Sequence, residues 1–459
     1  MRMTIGEIQE AARATLVRGE SARSVEGVST DSRQLRPQDL FVALAGESFD
    51  GHDFVDQAIA GGAAAVLVEE TKRKREYPGE AAVLSVEDSL RALGDVAASY
   101  RSRFAMPFVA ITGSNGKTTT TEMTAHVLSS QGTVVWARKS FNNFIGVPLT
   151  LFEVVPQTVA VVLEMGTSAP GEITRLCEIA RPEIGVITNI ARTHLEGLKT
   201  IEGVAMAKAE LLDGLARDGL AILNADDEWS CKVRASFHGK VVTFGTSEDA
   251  DIFARQIEET AEGLSFTTNE YVRVDLPVHG LHNVSNALAA IAVSRRLGMD
   301  MKEVARHLAD FRGVPMRTEL LRLGAVTVVN DAYNANPASM AAALDEFRKH
   351  HATSGMRHFV CGDMLELGES SAELHRELGR RIAESDVDRL WLFGSEVRET
   401  RSAVIDAGFD PKAIVLMDDY SELEKTFVED LGEGDVVLVK GSRRMRLERL
   451  VDALKRRTN

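Results

Sequence analysis

The chain has 459 residues, too long for one ordinary core, so roughly two to four domains are expected. Apolar residues make up 44% and charged residues 26%, the balance of a soluble globular protein. A net charge of −15 argues against a dedicated nucleic-acid or acidic-membrane surface, so any anionic substrate must be held by local basic and backbone groups.

The opening MRMTIGEIQEAARATL carries Glu7 and Glu10 and has no apolar centre, so it does not read as a signal peptide. No apolar run approaches the ~18 residues of a membrane span. Cys177, Cys231 and Cys361 are too few and scattered for a disulfide framework or a zinc site. They read as small hydrophobes in a reducing compartment, and the expected location is cytoplasmic.

Three blocks follow, each alternating β-rich runs with helical patterns. The first holds strand candidates 39–44, 63–70 and 81–88, then a helical stretch to Tyr100. A boundary falls near 103–107, before PFVAIT. The second block adds strands at 133–139, 158–166, 184–190 and 220–227, whose near-continuous Val/Ile/Leu content suits a parallel sheet buried on both faces. Residues 251–280 alternate like an antiparallel edge, and a helix over 283–298 closes the block. After 311–319 the third block offers strands at 325–331, 357–364, 389–395 and 435–442, with a helix over 337–351 among the intervening patterns. The expected fold is three consecutive α/β domains, at 1–104, 105–312 and 313–459, with right-handed crossovers.

The most informative segment is FVAITGSNGKTTTTEM, Phe108 to Met123. A buried strand runs into Gly113, Gly116, Lys117 and Thr118, and a helix follows. Such a turn offers backbone N–H groups and a helix N-terminus to phosphate oxygens. Lys117 would reach the terminal phosphates and the Thr118 hydroxyl a Mg²⁺ ion. The usual G-x-x-x-x-G-K-[ST] spacing would need glycine at Ile111, so this loop is shorter than a standard Walker A. The chain is expected to bind a nucleoside triphosphate.

In open parallel sheets ligands bind beyond the carboxyl ends of the strands, which nominates Thr112, Glu164, Asn189, Asp331, Asp363 and Lys440. Loop polarity alone explains some of these. Glu164 would offer Mg²⁺ a hard oxygen, or would simply cap a helix in a solvated loop. Taken singly, His194 is more often a hydrogen-bonding loop residue than a ligand, and Lys208 a solvated helix lysine.

Read together, the segments change that balance. Over essentially its whole length the chain resembles the Mur ligase family of cell-wall synthesis. The resemblance is carried by segments 29–54, 112–120, 141–151, 163–173, 182–212, 280–290 and 330–344. The last of these, NDAYNANPASMAAAL, together with CGDMLELG (361–368), favours the branch that adds a dipeptide. The family's short G-x-x-G-K-T loop accounts for Ile111. The resemblance implies a central P-loop domain with a mostly parallel sheet and a Rossmann-like C-terminal domain.

Roles follow residue by residue from that resemblance. Gly113, Ser114, Asn115, Gly116, Lys117, Thr118 and Thr119 match the ATP phosphate loop. Asn283 matches an adenine contact, and Arg317, Asp331 and Tyr333 match nucleotide contacts from the third domain. Glu164 and His194 match ligands of a second metal, with Lys117 and Lys208 completing the catalytic set. Lys208 matches a lysine that can carry CO₂ as a carbamate, which turns a cation into an oxygen donor for Mg²⁺. Ser29, Asp31, Ser32 and Arg33 match the motif associated with the uridine nucleotide, and Asn142 and Asn143 a substrate loop. Asn334 and Asn336 are expected to line the pocket of the incoming amine. Arg192-Thr193 departs from the usual small pair before His194.

The implied activity is ATP- and Mg²⁺-dependent joining of D-alanyl-D-alanine to UDP-N-acetylmuramoyl-tripeptide through an acyl phosphate. The implied protein is monomeric, without nucleic-acid or integral membrane contacts. A sister ligase adding diaminopimelate or lysine is the alternative, but the D-N-P-R segment of diaminopimelate-adding relatives is replaced here by DAYNANP (331–337). Segment 29–54 argues against a folate polyglutamylating relative. A GTPase-like switch would need an N-K-x-D segment, which the chain lacks.

Overall fold

A computed structural model describes every residue except 47, 48, 139, 140, 261, 351, 353 and 459. Its strands form three main sheets, drawn from successive parts of the chain, plus a small pair joining Met3–Thr4 to Ser24–Val25.

The first sheet has five strands in the order Thr15–Arg18, Ala82–Val86, Ala65–Glu69, Asp39–Val42 and Gly27–Ser29. Only the first pairing is antiparallel. The helix Ser89–Arg101 then packs on the helix Glu172–Ala180 of the next unit. Arg101 fastens this junction: its guanidinium donates to the carbonyls of Ala180, Phe104 and Arg181 and to Glu183.

The central sheet has nine strands. Among the described residues seven are joined by parallel pairings, and the last of these, Ile252–Thr260, begins the antiparallel meander with Gly263–Thr268 and Arg273–Leu276 anticipated at 251–280. Phe108–Thr112 is buried throughout, between Thr158–Glu164 on one side and Ile184–Ile187 on the other. Chain order reverses here. From Thr133–Trp136 at the edge the chain steps in to Thr158–Glu164, then passes to the far side of Phe108–Thr112. A crevice beyond the strand ends at such a switch is where an open sheet receives its ligand. Register makes this concrete: Glu164 pairs with Ile111, and Ile187 with Thr112, so three loops leave the sheet at one level.

The third sheet has six strands, parallel except for the Glu319–Leu323/Val326–Asn330 hairpin at one edge. This arrangement, α/β with mostly parallel sheets, matches the expected fold class.

Several strands escaped the sequence reading. Lys240–Gly245, Glu319–Leu323 and Ile414–Met417 carry partly exposed residues rather than continuous apolar runs. Half-buried strands give a weaker compositional signal than strands covered on both faces.

Candidate functional site

The loop between Phe108–Thr112 and the helix Lys117–Leu128 is held from outside. Ser114 N–H donates to Asn189 O, and Asn115 N–H to Asn189 Oδ1 at 3.0 Å. Ser114 Oγ donates to Ala191 O and accepts from Ala191 N–H. Two glycines are sterically required. Gly113 has φ +148°, and a Cβ there would lie 1.8 Å from Thr188 Oγ1. Gly116, with φ +81°, would bring a Cβ to 2.2 Å from Asn286 Oδ1. The turn is therefore rigid, with a helix N-terminus at its exit.

A cavity of ≈1040 Å³ opens beside it, at the switch point of the sheet. Lys117, Glu164 and His194 all line it. Lys117 Nζ donates to Gly113 O at 2.9 Å. Burial lowers the Lys117 pKa, with Glu164 opposing and Arg317 reinforcing that shift. Glu164 is 1% exposed; its Oε1 accepts from Asn142 Nδ2 at 2.7 Å, whereas its buried Oε2 has no hydrogen-bond partner. A buried carboxylate oxygen without a donor is costly unless a cation or water meets it.

Lys208, on the helix Ile201–Asp213, is 1% exposed and is not among the residues that line the cavity. Burial, then the charge of Lys117, drives its pKa well below the ordinary lysine value. No carboxylate among the described residues lies within salt-bridge distance of it. The solvated-lysine alternative is thus removed, and a neutral amine is the form that can take up CO₂. Among the described residues no three His, Cys, Asp or Glu side chains cluster to hold a metal. Glu164 and His194 therefore fit a divalent cation only with help from Thr118, a carbamate on Lys208 or the nucleotide phosphates.

The third sheet's loops close the cavity from the opposite side. Arg317 Nη2 donates to Thr118 Oγ1 at 2.7 Å and its guanidinium lies 4.2 Å from the Tyr333 ring centre. Non-glycine residues Met316 and Thr318 on either side of Arg317 have positive φ, so local backbone strain accompanies this placement. Asp331 accepts from Thr318 N–H and from the buried Lys440 ammonium at 2.5 Å; Lys440 also donates to Asn334 O. His194 Nδ1 lies 2.5 Å from Glu366 Oε2.

Four groups of the residues singled out in the sequence are placed as follows. Asn283 is buried, gives its amide to His279 O and accepts from Asn286; it does not line the cavity, whereas His282, Ser285 and Asn286 of the same helix do. Asn336 lines the cavity but caps the helix Pro337–Phe347 and donates to Asn115 Oδ1, so its polar atoms are largely committed. Asn143 accepts from Ile145 and Gly146 N–H, which shapes the turn before the helix Gly146–Leu151, while Asn142 orients Glu164. Ser29, Asp31, Ser32 and Arg33 do not line this cavity: Asp31 pairs with Arg33, which holds its pKa at about 2, and Ser32 donates to Gln57. Among the described residues of 1–104, Leu90 alone lines the cavity.

Sequence reasoning missed Asn286, His282 and the Asn115–Asn336 contact, which have no contiguous signature. Strand-end polarity did nominate Asn189 and Lys440. Arg192, the departure before His194, pairs with Glu377 across the same interface at 3.0 Å.

Family models match along most of the chain: the Mur ligase family catalytic domain over residues 24–101, the Mur ligase middle domain over 111–294, and the Mur ligase glutamate ligase domain over 316–443. The chain belongs to the Mur ligase family. It is 36% identical to the UDP-N-acetylmuramoyl-tripeptide–D-alanyl-D-alanine ligase of Bacillus subtilis, over 99% of this chain and 98% of that one. Among solved structures, MurF from Acinetobacter baumannii superposes with a TM-score of 0.88 at 30% identity, covering 99% of both chains. MurF ligase from Thermotoga maritima, solved with ADP, gives 0.80 at 29% identity over 94% of this chain and 97% of that one. Among the described residues no helix is long and apolar enough to cross a membrane.

Proposed function

We propose that this protein joins D-alanyl-D-alanine to UDP-N-acetylmuramoyl-tripeptide at the expense of ATP, as a cytoplasmic, monomeric enzyme of peptidoglycan precursor synthesis. One observation supports it above others: residues 114–117 of the rigid turn and Glu164, whose Oε2 is unpartnered, line one cavity that third-domain residues complete. Near full-length likeness to ligases bearing that name supports the choice of substrates.

In this reading residues 1–104 hold the uridine end, 105–312 the ATP, and 313–459 the dipeptide and the far side of the nucleotide. The tripeptide's terminal carboxylate attacks the γ-phosphorus, the bond to the β-phosphate oxygen breaks, and ADP leaves. The amine of the dipeptide then attacks the acyl phosphate carbonyl. The tetrahedral species expels phosphate and loses a proton, leaving an amide. Two anions meet in the first step, so positioning and charge neutralisation dominate. Lys117 supplies one fixed positive charge, and the loop amides supply oriented dipoles. Thr118, Glu164, His194 and carbamylated Lys208 would hold Mg²⁺, which would offset charge on the phosphates. Asn142 keeps Glu164 facing the cavity.

The test is phosphate release from ATP and UDP-N-acetylmuramoyl-tripeptide, comparing D-alanyl-D-alanine with diaminopimelate, lysine and D-alanine. Release stimulated by the dipeptide alone is expected. Stimulation by a single amino acid on a muramoyl-dipeptide would select the sister ligase instead.

A further inference from the structure

The third domain touches the central one at a point that is both side chain and backbone. Glu196 N–H donates to Glu366 O at 3.1 Å, while the Glu366 carboxylate meets His194 Nδ1. Both partners sit in left-handed backbone, His194 at φ 53° and Glu366 at φ 65°. The short helix Leu195–Leu198 packs against the turn Gly368–Ser370, and Leu195, Leu198, Met364 and Leu367 are all buried. Strained non-glycine residues on both sides of one contact are held by the docking around them.

His194 lines two neighbouring hollows. Glu164 lines only the larger, and Glu366 only a smaller one of ≈130 Å³. The imidazole thus stands in the shared wall, with one ring nitrogen engaged by the third domain. In a neutral imidazole whose Nδ1 donates to a carboxylate, Nε2 carries the lone pair that a cation needs.

We propose that Glu366 is a positioning residue that fixes the His194 ring and tautomer from the third domain, so that cation affinity at the Glu164–His194 site depends on that domain being docked. The inference rests on the proposed reading of Glu164 and His194 as cation ligands. Linkage makes the dependence reciprocal: a cation bound there favours docking by the same factor. Among the described residues Glu366 is the partner of His194 Nδ1, and it comes from the third domain.

The probe is Mn²⁺, counted by electron paramagnetic resonance on the full-length protein with a non-hydrolysable ATP analogue. In Glu366→Ala the Mn²⁺ beyond the nucleotide's own is expected to bind about 10–100-fold more weakly, the usual effect of losing a ligand's supporting hydrogen bond. Glu366→Gln, whose amide oxygen accepts the same N–H, should stay close to native. Unchanged affinity in Glu366→Ala overturns the proposal, as does equal loss in both variants. Should Glu366→Ala not fold, ¹⁵N shifts of His194 in the native protein with Mg²⁺ and the analogue decide. A proton on Nδ1 supports the assignment and a proton on Nε2 overturns it. Failure of dipeptide-stimulated phosphate release in the native protein would sink the proposed reaction without altering these ion measurements.

Discussion

The side-chain amide of Asn336 donates to Asn115 Oδ1 at 2.7 Å, although 221 positions separate them. The same Asn336 accepts from Ser339 N–H through its Oδ1, closing a capping box at the start of Pro337–Phe347. One residue therefore begins a helix beside the third sheet and touches the 113–118 turn, so turn geometry and the packing between these two parts share a hydrogen bond.

Two substitutions separate these duties. Asn336→Asp keeps the cap, since aspartate is as good an N-cap as asparagine, but cannot donate to Asn115. Turnover should fall while the melting temperature holds. Asn336→Ala loses both and should cost about 1–2 kcal/mol of stability, read by thermal unfolding. Native turnover in the aspartate variant would show the Asn115 contact to be incidental.

Lys117→Ala should lower turnover by at least ~10²–10³-fold, the scale for removing one charge-stabilising group. Phosphate release with saturating substrates is the measurement. A variant retaining near-native release would remove Lys117 from the reaction.

Lys208 should behave as a carboxylate precursor rather than as a cation. Burial beside Lys117 favours its neutral amine, which reacts with CO₂. Lys208→Ala should lose activity and regain part of it with short carboxylic acids. Full activity without any added acid would exclude Lys208 from the site.

Acid should loosen the contact around Glu346. Burial alone would raise its pKa, but hydrogen bonds from His350 and Lys349 more than reverse this and hold it at about 2, against 4.5 ordinarily. Lys349 also reaches Glu259 of the central unit at 2.5 Å. A depressed carboxylate stabilises above its unfolded pKa, and that contribution fades as pH falls from 4.5 towards about 2. Glu346→Gln should flatten this part of the stability–pH curve, followed by tryptophan fluorescence. An unchanged curve would assign acid sensitivity elsewhere.

Thiol labelling should divide the cysteines. Cys231 is exposed, whereas Cys177 and Cys361 are buried, which pushes the Cys177 pKa up to about 12 and raises that of Cys361. Only thiolates react rapidly, so Cys231 alone should label quickly in the native protein. Rapid labelling of Cys361 would mean that the third sheet opens readily.

The 113–118 turn was legible as a strand–turn–helix unit because its residues are contiguous: two glycines, a lysine and a threonine follow one apolar strand. The Glu164 position was legible because a buried strand rarely ends in a carboxylate without cause. Asn283 shows where this reading stops. Sequence selects it, yet helix phase turns Asn286, three residues on, towards Gly116, and Asn283 supports it from behind.

The sequence by itself determined the strand–loop–helix segments, the sheet class and the identity of the polar residues at strand ends, since each depends on residues close together in the chain. Only tertiary structure decided which of those residues meet. The pairings Arg317–Thr118, Asn336–Asn115 and Glu366–His194 join positions more than 170 apart, so no local pattern records them. The burial of Lys208 is likewise invisible locally, because it comes from elements packed around its helix, and it is that burial which changes the lysine's chemistry.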